Sequence, residues 1–158
     1  MAMYILCQHF QDYFLLTGDE TARGVLVGLS RFSNKSHIAR AVLESVAYQS
    51  NELLQSMEKD IGTTFDTVNV DGGMVVNNLL MQFQSDIFDK RVTSQKINEI
   101  TALGAGAAGY LFINNLPLEN MNTFISHSKT WNPNMDSNQR ELYLNKWKKA
   151  INKSKQWI

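Results

Sequence analysis

Residues 64–80 read TFDTVNVDGGMVVNNLL, and this stretch decides the fold class. Its first part, up to Val70, is rich in β-branched residues and predicts a short strand, which Asp71-Gly-Gly73 breaks sharply. Apolar residues then recur at helical spacing, at Val76, Leu80, Phe83 and Ile87. A strand, a glycine turn and a helix in direct succession are typical of a layered α/β domain.

The residues before this stretch predict another strand and helix. Residues 22–29 place β-branched and leucine residues between glycines, which indicates a strand. Ser33 or Asn34 is a candidate N-cap for a long helix that ends near Gly62. We expect this helix to bury one apolar face, formed by Ile38, Val42, Val46, Leu53 and Met57.

The residues after it continue the alternation. Residues 90–94 predict a third strand, and Asn98 is a candidate cap for a helix over residues 99–112. That helix contains seven glycine or alanine residues, so we expect it to pack closely on a sheet. Residues 114–134 contain both prolines and several asparagines and predict irregular structure, and Asp136 is a candidate cap for a last helix that runs toward Trp157. The order predicts one α/β domain in which crossover helices pack on a sheet.

Composition is that of an ordinary globular protein. The 158 residues are 44% hydrophobic and 19% charged, and 15 basic side chains balance 15 acidic ones. This balance gives no reason to expect nucleic acid or an anionic membrane as a partner. Cys7 is the only cysteine, which excludes an internal disulfide and fits a cytoplasmic setting. Polar residues interrupt the apolar stretch 3–16, which predicts neither a signal peptide nor a membrane span.

The glycine pair at residues 72 and 73 is the candidate ligand site. Two adjacent residues without Cβ atoms let a ligand approach the backbone closely. Free amides at the start of the following helix favour an anionic group such as a phosphate, and the Asn77 amide could pair with a heterocycle. The alternative is a tight turn that needs glycine for its backbone alone, and spacing by itself does not decide between the two.

Four ordered segments resemble carbohydrate kinases. Residues 70–87, with the run LMQFQSDI at 80–87, resemble the adenine-nucleotide loop of glycerol kinases. The run GVLVGL at 24–29, followed after seven residues by HIARAVLE at 37–44, is similar to the C-terminal signature of the FGGY carbohydrate-kinase family. Residues 99–105 and the last helix, from Lys146, also resemble these kinases. The chain is therefore identified as a member of this family, similar to glycerol kinases over about residues 21–158.

This resemblance implies a fold, a cofactor and a set of contact residues. It implies an incomplete actin-like, ribonuclease H-like ATPase domain over residues 21–158, preceded by a segment, 1–20, without a counterpart in these kinases. It implies that Gly73 and Asn77 contact ATP or ADP, and that Gly72 and Asp71 complete the same loop. Magnesium would accompany the nucleotide, with ligands that lie outside this chain.

The same resemblance implies that catalysis needs a partner. In these kinases the glycerol site, the catalytic aspartate and the first phosphate loop belong to an N-terminal domain, so we assign no catalytic residue here. Asp60, Asp66, Asp86 and Asp89 have no paired partner at suggestive spacing and are interpreted as solvated carboxylates. The three histidines show no metal-ligand spacing, so no metal site is predicted.

Three functions remain open at this point. The first is the ATP-binding part of an enzyme that phosphorylates glycerol to glycerol 3-phosphate. The second is a non-catalytic module that binds nucleotide or only associates with a kinase chain. The third is part of a kinase for another sugar or polyol. Because an exposed sheet edge promotes association, we also expect the isolated chain to form oligomers unless residues 3–16 cover that edge.

Overall fold

The computed structural model describes residues 5–7, 22–97, 99–124 and 126–155. Five strands and four α-helices alternate along these ranges. The strands are β1 (Ile5–Cys7), β2 (Val25–Val27), β3 (Thr67–Val70), β4 (Arg91–Gln95) and β5 (His127–Trp131). The helices are α1 (Lys35–Ile61), α2 (Asn78–Phe88), α3 (Ile100–Ile113) and α4 (Ser137–Ser154), with 3₁₀ segments at Gly73–Val76 and Leu118–Phe124.

The strands form two sheets. β1 and β2 pair antiparallel, whereas β3, β4 and β5 form a second sheet in that order. β3 and β4 are parallel and are joined through α2, which is the crossover unit that the sequence predicted. β5 adds to β4 in the antiparallel direction. The α/β class with crossover helices is thus confirmed.

Helix α1 begins and ends where the sequence indicated. The Asn34 side chain accepts hydrogen bonds from the backbone N–H groups of Ser36 and His37, and His37 Nδ1 accepts from the Asn34 N–H. This reciprocal capping box satisfies amides that would otherwise lack partners. Gly62 ends the helix with φ at 75°, a left-handed conformation that glycine adopts without strain.

The core lies where α1, α2 and α4 meet the strands. The Tyr48 ring stacks on Trp147 with centroids 5.0 Å apart, and its edge meets Phe83 at 5.5 Å. Burial raises the pKa of the Tyr48 hydroxyl. Val92 from β4 is fully buried, and partly buried valines of β2 and β3 pack against the same cluster. Both sheets therefore share one hydrophobic core.

The buried face of α1 differs from the predicted one. Ile38, Leu53 and Met57 are exposed, and the buried residues are instead Ala41, Glu44, Ser45, Ala47, Tyr48 and Asn51. Small and polar side chains let α1 approach its neighbours closely, and the Arg40–Glu44 ion pair, at 2.6 Å, partly neutralises the buried carboxylate. Of the predicted stripe, Val42 and Val46 are half-buried and Val46 packs against the core. The prediction was wrong for the other three residues because spacing identifies an apolar stripe but not the surface that covers it.

Two further predictions were wrong. Residues 114–134 are not all irregular, since they contain β5, whose Trp131 is buried against the core. Among the described residues, helix α3 contacts mainly the 3₁₀ segment Leu118–Phe124 rather than the sheet, and only its Ala107 and Leu111 are buried. The proposed cap Asn98 lies outside the described residues, and Glu99, which precedes α3, makes no side-chain cap bond.

The last helix, α4, begins as predicted. The Asp136 side chain accepts a hydrogen bond from the Gln139 N–H at 3.1 Å. Its inner face buries Trp147, Ala150, Ile151 and Ser154, and its predicted end at Trp157 lies outside the described residues. Across the described ranges, no helix is both long enough and apolar enough to span a membrane.

Candidate functional site

The glycine loop joins β3 to α2 and has a defined backbone. Gly72 has φ at 87°, in the region that strongly favours glycine, so this residue is required by the turn itself. The chain then forms a 3₁₀ turn over Gly73–Val76, in which the Val75 N–H donates to the Gly72 carbonyl at 3.3 Å. Asp71, between the strand and the glycines, is exposed.

Gly73 is not explained by the backbone. Its φ is not positive, and a Cβ added there would meet nothing within 4 Å. The tight-turn alternative therefore accounts for Gly72 but leaves Gly73 without a reason inside the described structure. A missing Cβ at an exposed loop position leaves room for a ligand against the backbone.

Asn77 lies at the junction of the 3₁₀ turn and α2. Its Oδ1 accepts a hydrogen bond from the Leu80 N–H at 3.1 Å, which makes it the N-cap of the helix. One of the amides that we expected to be free for a phosphate is therefore already satisfied. The Nδ2 group of Asn77 has no acceptor among the described residues. It can therefore still donate a hydrogen bond to a ligand.

Apolar side chains flank the loop, which the sequence interpretation missed. Met74 is 48% exposed and Val76 is 67% exposed, although both lie in a turn next to the core. The spacing placed Val76 on the buried face of α2, but α2 begins at Asn78 and Val76 stays outside it. Exposed apolar groups beside a hydrogen-bonding amide suit a flat heterocycle that has one polar edge.

The loop is held by a rigid support. Leu80, Phe83 and Ile87 are buried and anchor α2 to the core. The fully buried Ser85 hydroxyl shares its one hydrogen between the carbonyl oxygens of Lys90 and Trp131, at 2.7 and 3.0 Å, and so ties α2 to the residue before β4 and to β5. Because a rigid helix follows the loop directly, Asn77 has little freedom to move.

The acidic residues at the C-terminal end of α2, away from the loop, serve structural contacts. Asp86 accepts hydrogen bonds from the Gln82 side chain and from the Asn134 N–H, at 3.0 and 2.7 Å. Asp89 pairs with Arg140 at 2.8 Å. In the described ranges, no three His, Cys, Asp or Glu side chains are grouped so that they could hold a metal ion.

Comparison with known proteins now identifies the family. The family model for the C-terminal domain of the FGGY family of carbohydrate kinases matches residues 4–111. The chain belongs to this family. The match begins at residue 4, so it includes most of segment 1–20, for which the sequence resemblance found no counterpart.

Curated and solved relatives agree with this assignment. The chain is 47% identical over 140 residues to the glycerol kinase of Chloroflexus aurantiacus, which covers 87% of this chain and 28% of that protein. It superposes on the Plasmodium falciparum glycerol kinase solved with ADP with a TM-score of 0.84 and 26% identity, over 99% of this chain and 32% of that one. The chain thus spans a little under a third of the length of these relatives.

The fold itself is shared more widely. The xylulose kinase of Rhodospirillum rubrum superposes with a TM-score of 0.69 at 20% identity, over 96% of this chain and 30% of that one. At this identity the likeness concerns the fold alone. The described chain has the mixed α/β architecture of the FGGY kinases, the actin-like ATPase fold that the resemblance implied.

Proposed function

We propose that this chain is the nucleotide-binding part of an ATP-dependent glycerol kinase. In this proposal the complete kinase transfers a phosphoryl group from ATP to glycerol and yields glycerol 3-phosphate. The chain binds the adenine nucleotide through Gly73 and Asn77, with Gly72 and Asp71 forming the rest of the loop. The single observation that carries the proposal is Gly73, a glycine that its own backbone does not require, in the loop whose last residue, Asn77, caps α2 and keeps an amide donor without a partner among the described residues.

The loop residues have separate tasks. Gly72 turns the chain, and Gly73 leaves the backbone open to the nucleotide. Asn77 caps α2 with its Oδ1, which fixes the side chain and aims Nδ2 as a donor. Exposed Met74 and Val76 offer apolar surface to the base.

Phosphoryl transfer requires groups that the described residues do not bring together. Catalysis of this reaction depends on positioning the reactants and on stabilising negative charge. Magnesium enters the proposal as the ion carried by the nucleotide phosphates, and in the described ranges no three His, Cys, Asp or Glu side chains are grouped around a position that it could occupy. We therefore expect no turnover by this chain alone and activity only together with a glycerol-binding part.

Calorimetric titration of ATP and ADP with magnesium tests the nucleotide site. Asn77→Ser keeps an oxygen that can cap α2 but removes the amide donor, so it separates binding from helix stability. We expect this variant to bind at least about tenfold more weakly, since each tenfold corresponds to about 1.4 kcal/mol. Asn78→Ala, at the next and exposed position, serves as the matched control.

Gly73→Ala provides an independent check. The added methyl group meets no protein atom, so folding stability should stay the same while nucleotide binding falls. Unchanged binding in both Gly73→Ala and Asn77→Ser would refute the site. Absence of any binding at millimolar nucleotide by the unaltered chain would instead favour the second function, a module that only associates with a kinase chain.

The exposed apolar side chains are what favour that second function. Helix α3 exposes Tyr110, Phe112 and Ile113, and α1 exposes Leu53 and Met57. Surfaces of this kind commonly mark contact with another protein. The third function, part of a kinase for another sugar or polyol, differs from the first only in the substrate. Comparing the activity of the complete kinase on glycerol with its activity on xylulose decides between these two functions.

A further inference from the structure

The open face of the β3–β4–β5 sheet forms a polar hollow. Six side chains from the three strands and the residue after β5 line a space of about 520 Å³. They are Thr67, Asn69, Arg91, Thr93, Thr130 and Asn132. No residue of the 71–77 loop is among them, so the hollow is distinct from the proposed nucleotide site.

The sheet register brings these side chains together. Thr67 pairs with Arg91 and Asn69 pairs with Thr93, while Thr93 also pairs with Thr130 on the opposite side. Alternate residues of each strand point to opposite faces, and the intervening Val68 and Val92 pack into the core. The lining groups therefore occupy fixed, adjacent positions.

Internal hydrogen bonds hold part of the lining in place. The Thr93 hydroxyl, nearly buried at the floor, bonds to Asn69 Oδ1. Arg91 Nε donates to Asn132 Oδ1 at 3.4 Å, which leaves the terminal guanidinium nitrogens for other partners. Within the described ranges, no carboxylate lies at ion-pair distance from Arg91, and the hydroxyls of Thr67 and Thr130 have no hydrogen-bond partner.

This chemistry fits a small anion that carries hydroxyl groups. A guanidinium group binds phosphate oxygens in a bidentate manner, and a single arginine matches a single phosphate. Threonine hydroxyls and asparagine amides both donate and accept, as the hydroxyls of a polyol require. Every lining side chain carries a polar group, and polar atoms make up the larger part of the lining surface.

We propose that this hollow binds the phosphate monoester of a small polyol, with Arg91 on the phosphate and the threonine hydroxyls on the polyol. The space is within the range of small-molecule sites. The proposal does not depend on nucleotide binding at residues 71–77, and either site could fail without the other.

The test is titration of the chain with three probes, which are inorganic phosphate, glycerol 3-phosphate and glycerol, at constant ionic strength. We expect saturable binding of both phosphates, tighter binding of glycerol 3-phosphate, and none of glycerol alone. Arg91→Gln should weaken both phosphates by at least about tenfold. Arg31→Gln removes one exposed positive charge that lies outside the hollow and should change neither affinity.

Thr130→Val separates the two parts of the proposal. It should remove the preference for glycerol 3-phosphate over inorganic phosphate while phosphate itself still binds. No saturable binding at tens of millimolar probe, or full affinity in Arg91→Gln, overturns the site. Equal affinity for the two phosphates in the unaltered chain overturns its polyol part.

Backbone amide chemical shifts keep the test independent of variant folding. In the unaltered chain, glycerol 3-phosphate should shift the amides of Thr67, Arg91 and Thr130. Shifts confined to other regions, such as the lysines of α4, would show binding to a general cationic surface and would contradict the proposal.

Discussion

Helices α2 and α3 are similar in length and both rich in apolar residues, but α2 is mostly buried and α3 is mostly exposed. In α2 seven of the 11 residues are buried, and the helix anchors the nucleotide loop. In α3 only two of the 14 residues are buried, and Phe112 and Ile113 are 84% and 77% exposed. An apolar composition therefore does not by itself ensure that a helix is buried. Burial also requires neighbouring elements that offer apolar side chains for it to pack against.

The two helices differ in what their neighbours provide. Helix α2 contacts α1, α4 and strands of the main sheet, so its apolar stripe meets other apolar side chains. Among the described residues, helix α3 contacts mainly the 3₁₀ segment Leu118–Phe124, with the ring centroids of Tyr110 and Phe124 5.8 Å apart in an edge-to-face arrangement. The groove between this segment and α3 is apolar, and most α3 residues are exposed.

The largest effect should come from truncating the aromatic core beside α2. Trp147 is 1% exposed, stacks on Tyr48 and donates its Nε1 hydrogen to Glu52. We expect Trp147→Ala to lower the free energy of unfolding by about 3–5 kcal/mol, measured by urea denaturation.

Phe112→Ala is the matched control on α3. Its side chain is almost fully exposed, so the free energy of unfolding should change by less than about 0.5 kcal/mol. A loss in Phe112→Ala similar to that in Trp147→Ala would mean that α3 is covered in solution, for example by self-association, and would break the comparison.

A smaller effect, of opposite sign, is expected inside α3. A Cβ added at Gly106 or Gly109 would meet nothing within 4 Å, and neither residue has positive φ. Gly106→Ala and Gly109→Ala should each stabilise the helix by about 1 kcal/mol, because alanine loses less backbone entropy than glycine.

Amide hydrogen exchange along α3 measures this gain. Slower exchange in α3 with unchanged exchange in α2 is the expected result. If either substitution destabilises the chain or disrupts its association with a kinase partner, the glycines are needed for close packing against a surface, as the sequence first indicated.

The smallest effect concerns an ion pair between α1 and the start of β4. Lys90 Nζ lies 2.8 Å from Glu58 Oε1, which also accepts the Phe65 N–H at 2.8 Å. The bond from Lys90 and then the Phe65 N–H lower the pKa of Glu58 below its ordinary value. The folded state therefore releases this proton more readily than the unfolded state.

The pH dependence follows from that direction. Above its ordinary pKa Glu58 stabilises the fold fully, and this contribution is lost as pH falls through the lowered value. Glu58→Gln should give a shallower loss of stability on acidification, measured by thermal unfolding from pH 7 to pH 3. Glu119→Gln, on the exposed 3₁₀ segment, is the control, and it should lose stability between pH 7 and pH 3 to the same extent as the unaltered chain.

Local chemistry made much of the fold predictable. Asn34 and Asp136 cap helices because their short polar side chains reach the free amides beside them, and Gly62 ends α1 because it adopts a left-handed conformation. These features depend on residues within one turn of each other. The order of the elements from β2 to α3 and the glycine loop could therefore be predicted from the sequence, and so could the family, through its ordered motifs.

Long-range packing decided the rest. The spacing predicted that Ile38, Leu53 and Met57 face the core, but these side chains are exposed and α1 buries mainly Ala41, Ala47 and Tyr48. The strand at residues 127–131 lacks a strong pattern of its own and forms because β4 offers it hydrogen bonds and a place for Trp131. Neither outcome is encoded within a single segment.

At the candidate site the sequence determined the residues, and the tertiary structure separated their roles. Asp71, Gly72, Gly73 and Asn77 could be selected from the motif alone. Only the folded backbone shows that Gly72 is required by its positive φ whereas Gly73 is not, and that Asn77 uses one atom to cap α2 and keeps another for a ligand. The reason is physical, since a backbone angle and a hydrogen-bond partner exist only once distant elements have packed around the loop.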